Sequence, residues 1–202
     1  WKGDLKILEK NIIPDNVNDI IKDNCDFEID LFSIDIDGID YWVIEKLNLE
    51  KCKIFIAEYN STFGHKLKVS VPNIKNFDRT QYHYSNLCYG MSLRALVDLM
   101  DKKDFYFVGT NMVKNNAFFV SKNFNKEKFF SNLEIKDFSY YTDSNIRESR
   151  NIGGKLNYLT GSLKFNEIKE CKVVDLSSTS HEEHKLKDLG YSCKGIENQI
   201  IK

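Results

Sequence analysis

The chain has 202 residues, with 29 Lys plus Arg against 30 Asp plus Glu, 42% apolar residues and 13% aromatics, a composition that excludes an intrinsically disordered protein. A net charge of −1 supplies no general attraction for nucleic acid or an anionic membrane. No apolar run approaches a membrane span, no secretory signal is visible, and five scattered cysteines (Cys25, Cys52, Cys88, Cys171, Cys193), none in a C-x-x-C pair, argue against a disulfide framework or zinc ribbon and for a reducing, cytoplasmic setting.

The length fits one domain with a tail. The first residue is Trp1 rather than Met, which points to a fragment or a processed product. "NIIPDNVNDIIK" predicts a helix entered through Pro14, with Val17, Ile20 and Ile21 at helical spacing. "IDLFSIDID" (29–37) reads as a strand buried on both faces, since it is almost continuously apolar. Gly38 then allows a tight turn, and "DYWVIEKLN" reads as a short helix capped by Asp40. "KIFIAEYN" (53–60) predicts a second buried strand of the same kind.

A polar, aromatic-rich loop follows from 61 to 88, long enough to be functional or mobile. "GMSLRALVDLMDKK" is the clearest helix, with Leu93, Leu96, Val97 and Met100 on one face and Ser92 as its cap. "FYFVGTN" and "NAFFVSKN" form a predicted hairpin. Residues 1–124 thus read as an α/β core with a mainly parallel sheet closed by an antiparallel hairpin. Residues 125–202 read as an extension in which "KEKFFSNLEIKDF" and "GSLKFNEIKECK" are short amphipathic helices and "NIGGK" is a turn.

The chemistry concentrates in "DLFSIDIDGIDYW". Alternation on a strand sends Ser33, Asp35 and Asp37 to one face. Two carboxylates at the end of a buried strand need a cation or a donor cluster to offset desolvation, and in open α/β sheets that end is where ligands bind. Capping of the turn by both aspartates is the bland alternative.

Three enzyme classes use such a pattern. A haloacid-dehalogenase-type phosphatase wants Thr after the glycine, where Ile39 stands, and a later acidic pair that is missing. A nucleotide-sugar glycosyltransferase would use D-x-D to hold a divalent metal on the diphosphate leaving group. A Rossmann-like methyltransferase fits the order of elements from its fourth strand onward.

"DLFSIDIDGIDYWVIEKL", "IFIAEYNSTFG", "VSVP", "YGMSLRALVDLM" and "FVGTNMVKNNAFFV" together resemble the FkbM family of S-adenosylmethionine-dependent O-methyltransferases, over residues 11–120 and more weakly over "IRESRNIGGKLNYLTG". The resemblance implies a Rossmann-like methyltransferase sheet, methyl transfer to a hydroxyl of a carbohydrate or related small molecule, and S-adenosylmethionine as donor. It also implies donor contacts from Asn11, Asp35 and Asp37. One departure is clear. The family's first strand and glycine-rich donor turn have no counterpart, since Gly3 is the only glycine before Gly38. That leaves open a non-catalytic binding or assembly module.

By further resemblance to catechol-type O-methyltransferases, Asp35, Glu58 and Asn60 become candidate ligands for Mg²⁺ or Mn²⁺, with Asp37 an additional carboxylate; oxygen ligands favour such hard cations over zinc. Asp35, Asp37, His65 and His83 are the candidate catalytic groups, the imidazoles because they titrate near neutrality. Tyr59, Asn60, Tyr84 and Arg147 are the candidate acceptor contacts, by stacking, hydrogen bonding and charge. His181 and His184 in "HEEH" lack the spacing of a zinc motif and read as part of a charged helix. The partners expected are a small-molecule or glycan acceptor, no nucleic acid and no membrane span, with homo-oligomerisation left open.

Overall fold

The computed structural model describes residues 4–25, 28–124, 139–142 and 148–190. Within them lie α1 (Val17–Asn24), β1 (Ile29–Ile34), α2 (Asp40–Lys46), β2 (Cys52–Glu58), β3 (Val69–Ser70), α3 (Arg79–Tyr82), α4 (Leu93–Lys102), β4 (Phe105–Thr110), β5 (Asn116–Ser121), α5 (Ser139–Thr142), α6 (Ser162–Ile168), β6 (Lys172–Asp175) and β7 (Glu183–Lys185).

Four strands form the main sheet in the order β1-β2-β5-β4. β1 and β2 run parallel, while β2–β5 and β5–β4 are antiparallel. The α/β class and the closing hairpin are as expected. The balance of directions is not, because among the described residues one parallel pairing, at the β1 edge, is followed by two antiparallel ones. The hairpin carries a register shift between Phe107 and Gly109, and Gly109 adopts φ 148°, a conformation open to glycine.

β1 also corrects the expectation of a strand buried on both faces. Among the described residues it pairs only with β2 and so lies at the sheet edge, with Asp30, Leu31 and Ser33 exposed. Its apolar contribution comes from Phe32, stacked on Phe55 at 5.7 Å, and from buried Ile34. The strand stops at Ile34, so Asp35 and Asp37 belong to the turn that follows. β2 is central, and Phe55 and Ala57 are fully buried. Phe55, Phe107 and Phe119 meet at tilted angles between the strands. Each ring contributes about 1.5–3 kcal/mol by leaving water.

α4 packs on β4 and β3. It begins where expected, at Ser92, whose hydroxyl accepts from the Ala95 N–H. Leu93, Leu96 and Met100 are buried as read, and Leu99 joins them. α1 lies against α2, held by Asn18, which donates to the Lys46 carbonyl at 2.7 Å and accepts from the Asn48 N–H at 2.8 Å. Lys103 donates to the carbonyls of Glu45 and Leu47, which closes the C-terminus of α2.

The 61–88 segment is more ordered than a loop reading allows, for it contains a 3₁₀ turn at Ser61–Phe63, then β3 and α3. The second sheet was not foreseen. β3 pairs antiparallel with β6, and β6 with β7. "HEEH" therefore ends in a strand, not a helix: His184 lies in β7 beside Glu182 at 3.7 Å, and His181 packs edge-on against Trp42. α6 confirms the helix read from "GSLKFNEIKECK", with Phe165 and Ile168 buried. Gly154 turns at φ 79° within "NIGGK", and Arg150 donates to its carbonyl at 2.9 Å. The helix read from "KEKFFSNLEIKDF" lies outside the described residues. One hydrophobic cluster runs through both sheets, from Val17 to Leu186. No described helix is long and apolar enough to cross a membrane.

Candidate functional site

Parallel pairing of β1 with β2 sets Ile34 opposite Ala57, so the next residues, Asp35 just past β1 and Glu58 at the end of β2, lie side by side. Asp37 joins them, and one carboxylate oxygen from each of the three lies within 4.8 Å of the others. Asp35 is exposed, Asp37 half-buried and Glu58 buried. Asp37 gets there through a left-handed backbone, φ 55°, which aspartate tolerates better than most residues. Three like charges in this space need a cation. Arg79, the first residue of α3, supplies one by pairing with Asp37. Asn115 donates to Glu58 Oε1 at 3.4 Å.

The turn is held from below by Asp40. It occupies the first helical position of α2 rather than the cap, and its carboxylate reaches back to accept the Ile36 N–H at 3.0 Å and the Gly38 N–H at 2.9 Å. Only 1% of it is exposed. Burial raises its pKa, opposed by these backbone donors. Gly38 is required by packing, since a Cβ there would stand 2.7 Å from Phe77 Cδ1. Gly38→Ala is expected to cost about 1–3 kcal/mol through displacement of that ring. Denaturant midpoints would check this, and the cost should shrink in a Phe77→Leu background.

Asn11, Ile13, Ile36, Gly38, Asn76 and Phe77 line a cleft of ≈ 210 Å³ beside the turn. Two of these lining residues bond to each other, Asn11 donating to Asn76 Oδ1 at 3.1 Å. The volume falls below the roughly 300–1,000 Å³ of whole-ligand pockets, so the cleft matches part of a ligand.

The remaining sequence candidates scatter. Asn60 is turned inward: its amide donates to the carbonyls of Leu87 and Tyr89 and accepts from the Thr62 N–H. It clamps the 87–89 segment. Tyr59 is fully buried, its hydroxyl donates to the Tyr141 carbonyl, and burial pushes its pKa up. Neither presents itself for stacking or contact with an acceptor. His65 is half-buried in the turn after the 3₁₀ segment. His83 is engaged with Ser85 at 2.7 Å, and Tyr84 stacks on it, 41% exposed. Arg147 lies outside the described residues.

Sequence reading missed Arg79, Asp40 and Asn115 as parts of the site. For Arg79 one signal existed. Asp78 caps α3 through the N–H groups of Thr80 and Gln81, and "DRTQ" is a cap pattern inside the supposed loop.

Comparison with protein-family models, with characterised proteins and with solved structures returned no match.

Proposed function

We propose that the chain is an S-adenosylmethionine-dependent O-methyltransferase acting on a hydroxyl of a carbohydrate or related small molecule. The observation that carries the reading is the strand order β1-β2-β5-β4, with one parallel pair followed by an antiparallel hairpin wedged against it. This is the order expected of the later strands of the sheet that the sequence resembles. The acidic turn leaves the carboxyl ends of the two parallel strands, where ligands of open α/β sheets bind.

The donor, when bound, supplies an electrophilic methyl group. This chain's residues would do the rest. Asp35, Asp37 and Glu58 carry three negative charges against the one of Arg79, and all their ligand atoms are oxygen. Such a set suits Mg²⁺ or Mn²⁺. A cation held there would lower the pKa of an acceptor hydroxyl and orient it. Asn11 and the Ile36–Gly38 backbone, at the adjoining cleft, would hold the nucleoside side.

Thermal unfolding with S-adenosylhomocysteine or a uridine diphosphate sugar, each with and without Mn²⁺, tests the reading. A ligand at 100 times its Kd stabilises by about 2.7 kcal/mol, a rise of several degrees at this size. The expected result is a rise with S-adenosylhomocysteine alone. A rise only with the nucleotide sugar and Mn²⁺ would favour a glycosyltransferase. No rise with either would leave the fold as a binding module.

A further inference from the structure

Tyr59 and Asn60 turn inward, so the surface that meets an acceptor beside the acidic turn must come from elsewhere. One such surface lies where the tip of the β4–β5 hairpin meets α5. Met112 at the tip is 98% exposed, and Tyr140 in α5 is 69% exposed. Lys114 brings the two segments together, its ammonium 4.5 Å from the centre of the Tyr140 ring. Among the described residues no carboxylate pairs with Lys114.

Both segments are fixed from behind. The Lys114 N–H bonds the Asn111 carbonyl at 3.0 Å, and Lys114 closes the turn with a left-handed backbone, φ 59°. Asn111 Oδ1 accepts the N–H groups of Asn115 and Asn116, and the Asn111 amide donates to Asn115 Oδ1 at 2.8 Å. Asn115 in turn donates to Glu58 Oε1 at 3.4 Å. One residue further along the chain, the Lys114 backbone stands within roughly 11 Å of that carboxylate. Tyr140 packs edge-on against Tyr141 at 5.1 Å. Tyr141 is anchored by its ring on Phe107, at 5.5 Å, and by its carbonyl, which accepts from the Tyr59 hydroxyl.

We propose that Met112, Lys114 and Tyr140 form the acceptor platform, and that the acceptor is a sugar acid, a pyranose bearing a carboxylate. The proposal rests on the reading of the acidic turn as the centre of a methyltransferase. An exposed aromatic ring meets the apolar C–H face of a pyranose, and the flexible Met112 side chain extends that contact. The Lys114 ammonium takes the carboxylate, a partner that a neutral sugar lacks. Asp35, Asp37 and Glu58 do not repel such an anion once a divalent cation joins Arg79, since three negative charges then meet three positive ones. The ladder from Asn111 through Asn115 to Glu58 keeps the platform in a set place relative to the acidic turn, as transfer to one particular hydroxyl requires.

The test is saturation-transfer NMR on the full chain in Mg²⁺, with the methyl glycosides of glucuronic and galacturonic acid and the matching neutral glucoside and galactoside. Signal is expected on the ring C–H protons of the uronides, with the neutral sugars bound about fivefold more weakly. Tyr140→Ala should weaken uronide binding about tenfold. Lys114→Met should abolish the preference for the uronide and leave the residual ring contact in place. Both side chains are exposed, so thermal midpoints of the variants should match the parent chain. Absence of uronide binding, equal binding of uronide and neutral sugar, or binding unchanged by Tyr140→Ala would overturn the proposal. The thermal rise with S-adenosylhomocysteine reads the methyltransferase assignment separately. If it fails while the uronide still binds, the saccharide platform stands and the methyl-transfer reading falls; if it holds without uronide binding, only the platform falls.

Discussion

Glu58→Gln is expected to lower Mn²⁺ affinity at least about a hundredfold while leaving the thermal midpoint nearly unchanged. Even outer partners of metal ligands cost about 10–100-fold when altered, so loss of a direct carboxylate should cost no less. Glutamine keeps the shape and can still accept from Asn115, so the change removes charge and little else. Titration calorimetry with Mn²⁺ would measure it. Asp30→Asn serves as control, because Asp30 pairs with Lys53 on the exposed strand and has no part in the cluster. Equal affinities for the Glu58 variant and the parent chain would remove the acidic turn as a cation site. Arg79→Met should act the other way and raise affinity, since it frees Asp37 from a competing positive charge.

The second large effect concerns stability. Asp40→Ala removes the acceptor for two N–H donors in a buried turn, each worth about 1–3 kcal/mol when stranded. A loss of about 2–4 kcal/mol is expected, or roughly 5–15 °C in Tm at this chain length. Calorimetry would read it; a fall under 2 °C would mean that the turn holds without this carboxylate. The pH dependence follows from the raised pKa. A carboxyl whose folded value lies above the unfolded one binds protons on folding, so stability falls as pH rises from 3.8 through the folded value. Above that window the desolvation penalty is fully present, and below it the penalty is gone. Asp40→Asn should flatten this slope while costing less than alanine, because the amide oxygen still accepts one of the two N–H groups.

Much of the fold was legible because its signals are local. Ser92 with Leu93, Leu96 and Met100 announces α4, and two aromatic runs separated by a short stretch rich in Asn announce the hairpin. β1 misled because an apolar run reports what a strand could bury, not how many neighbours it receives. Leu31, 55% exposed, is the direct measure of that gap. The pairing of Asp35 with Glu58 could be read, since adjacent parallel strands put their ends together. Asn60 and Tyr59 could not be placed, because two residues of turn beyond Glu58 suffice to point both inward. Arg79 and Asp40 illustrate a further limit. Which cation answers a carboxylate, and which N–H groups a buried acid collects, depends on how separate segments fold back. The second sheet was illegible for the same reason: a strand as short as Val69–Ser70 has no periodicity to detect.

That small sheet shapes how the chain comes together. Val69 and Ser70 find their partners at Asp175 and Val174, more than a hundred residues downstream. Long-range pairing of this kind is slow to nucleate, since ring closure must be met before any ladder bond rewards it. During synthesis the helix and hairpin signals are in hand well before the β6 segment emerges. Until then Val69 and Val71, fully buried in the finished molecule, have no cover from that side. Maturation of the hydrophobic interior therefore waits on the tail.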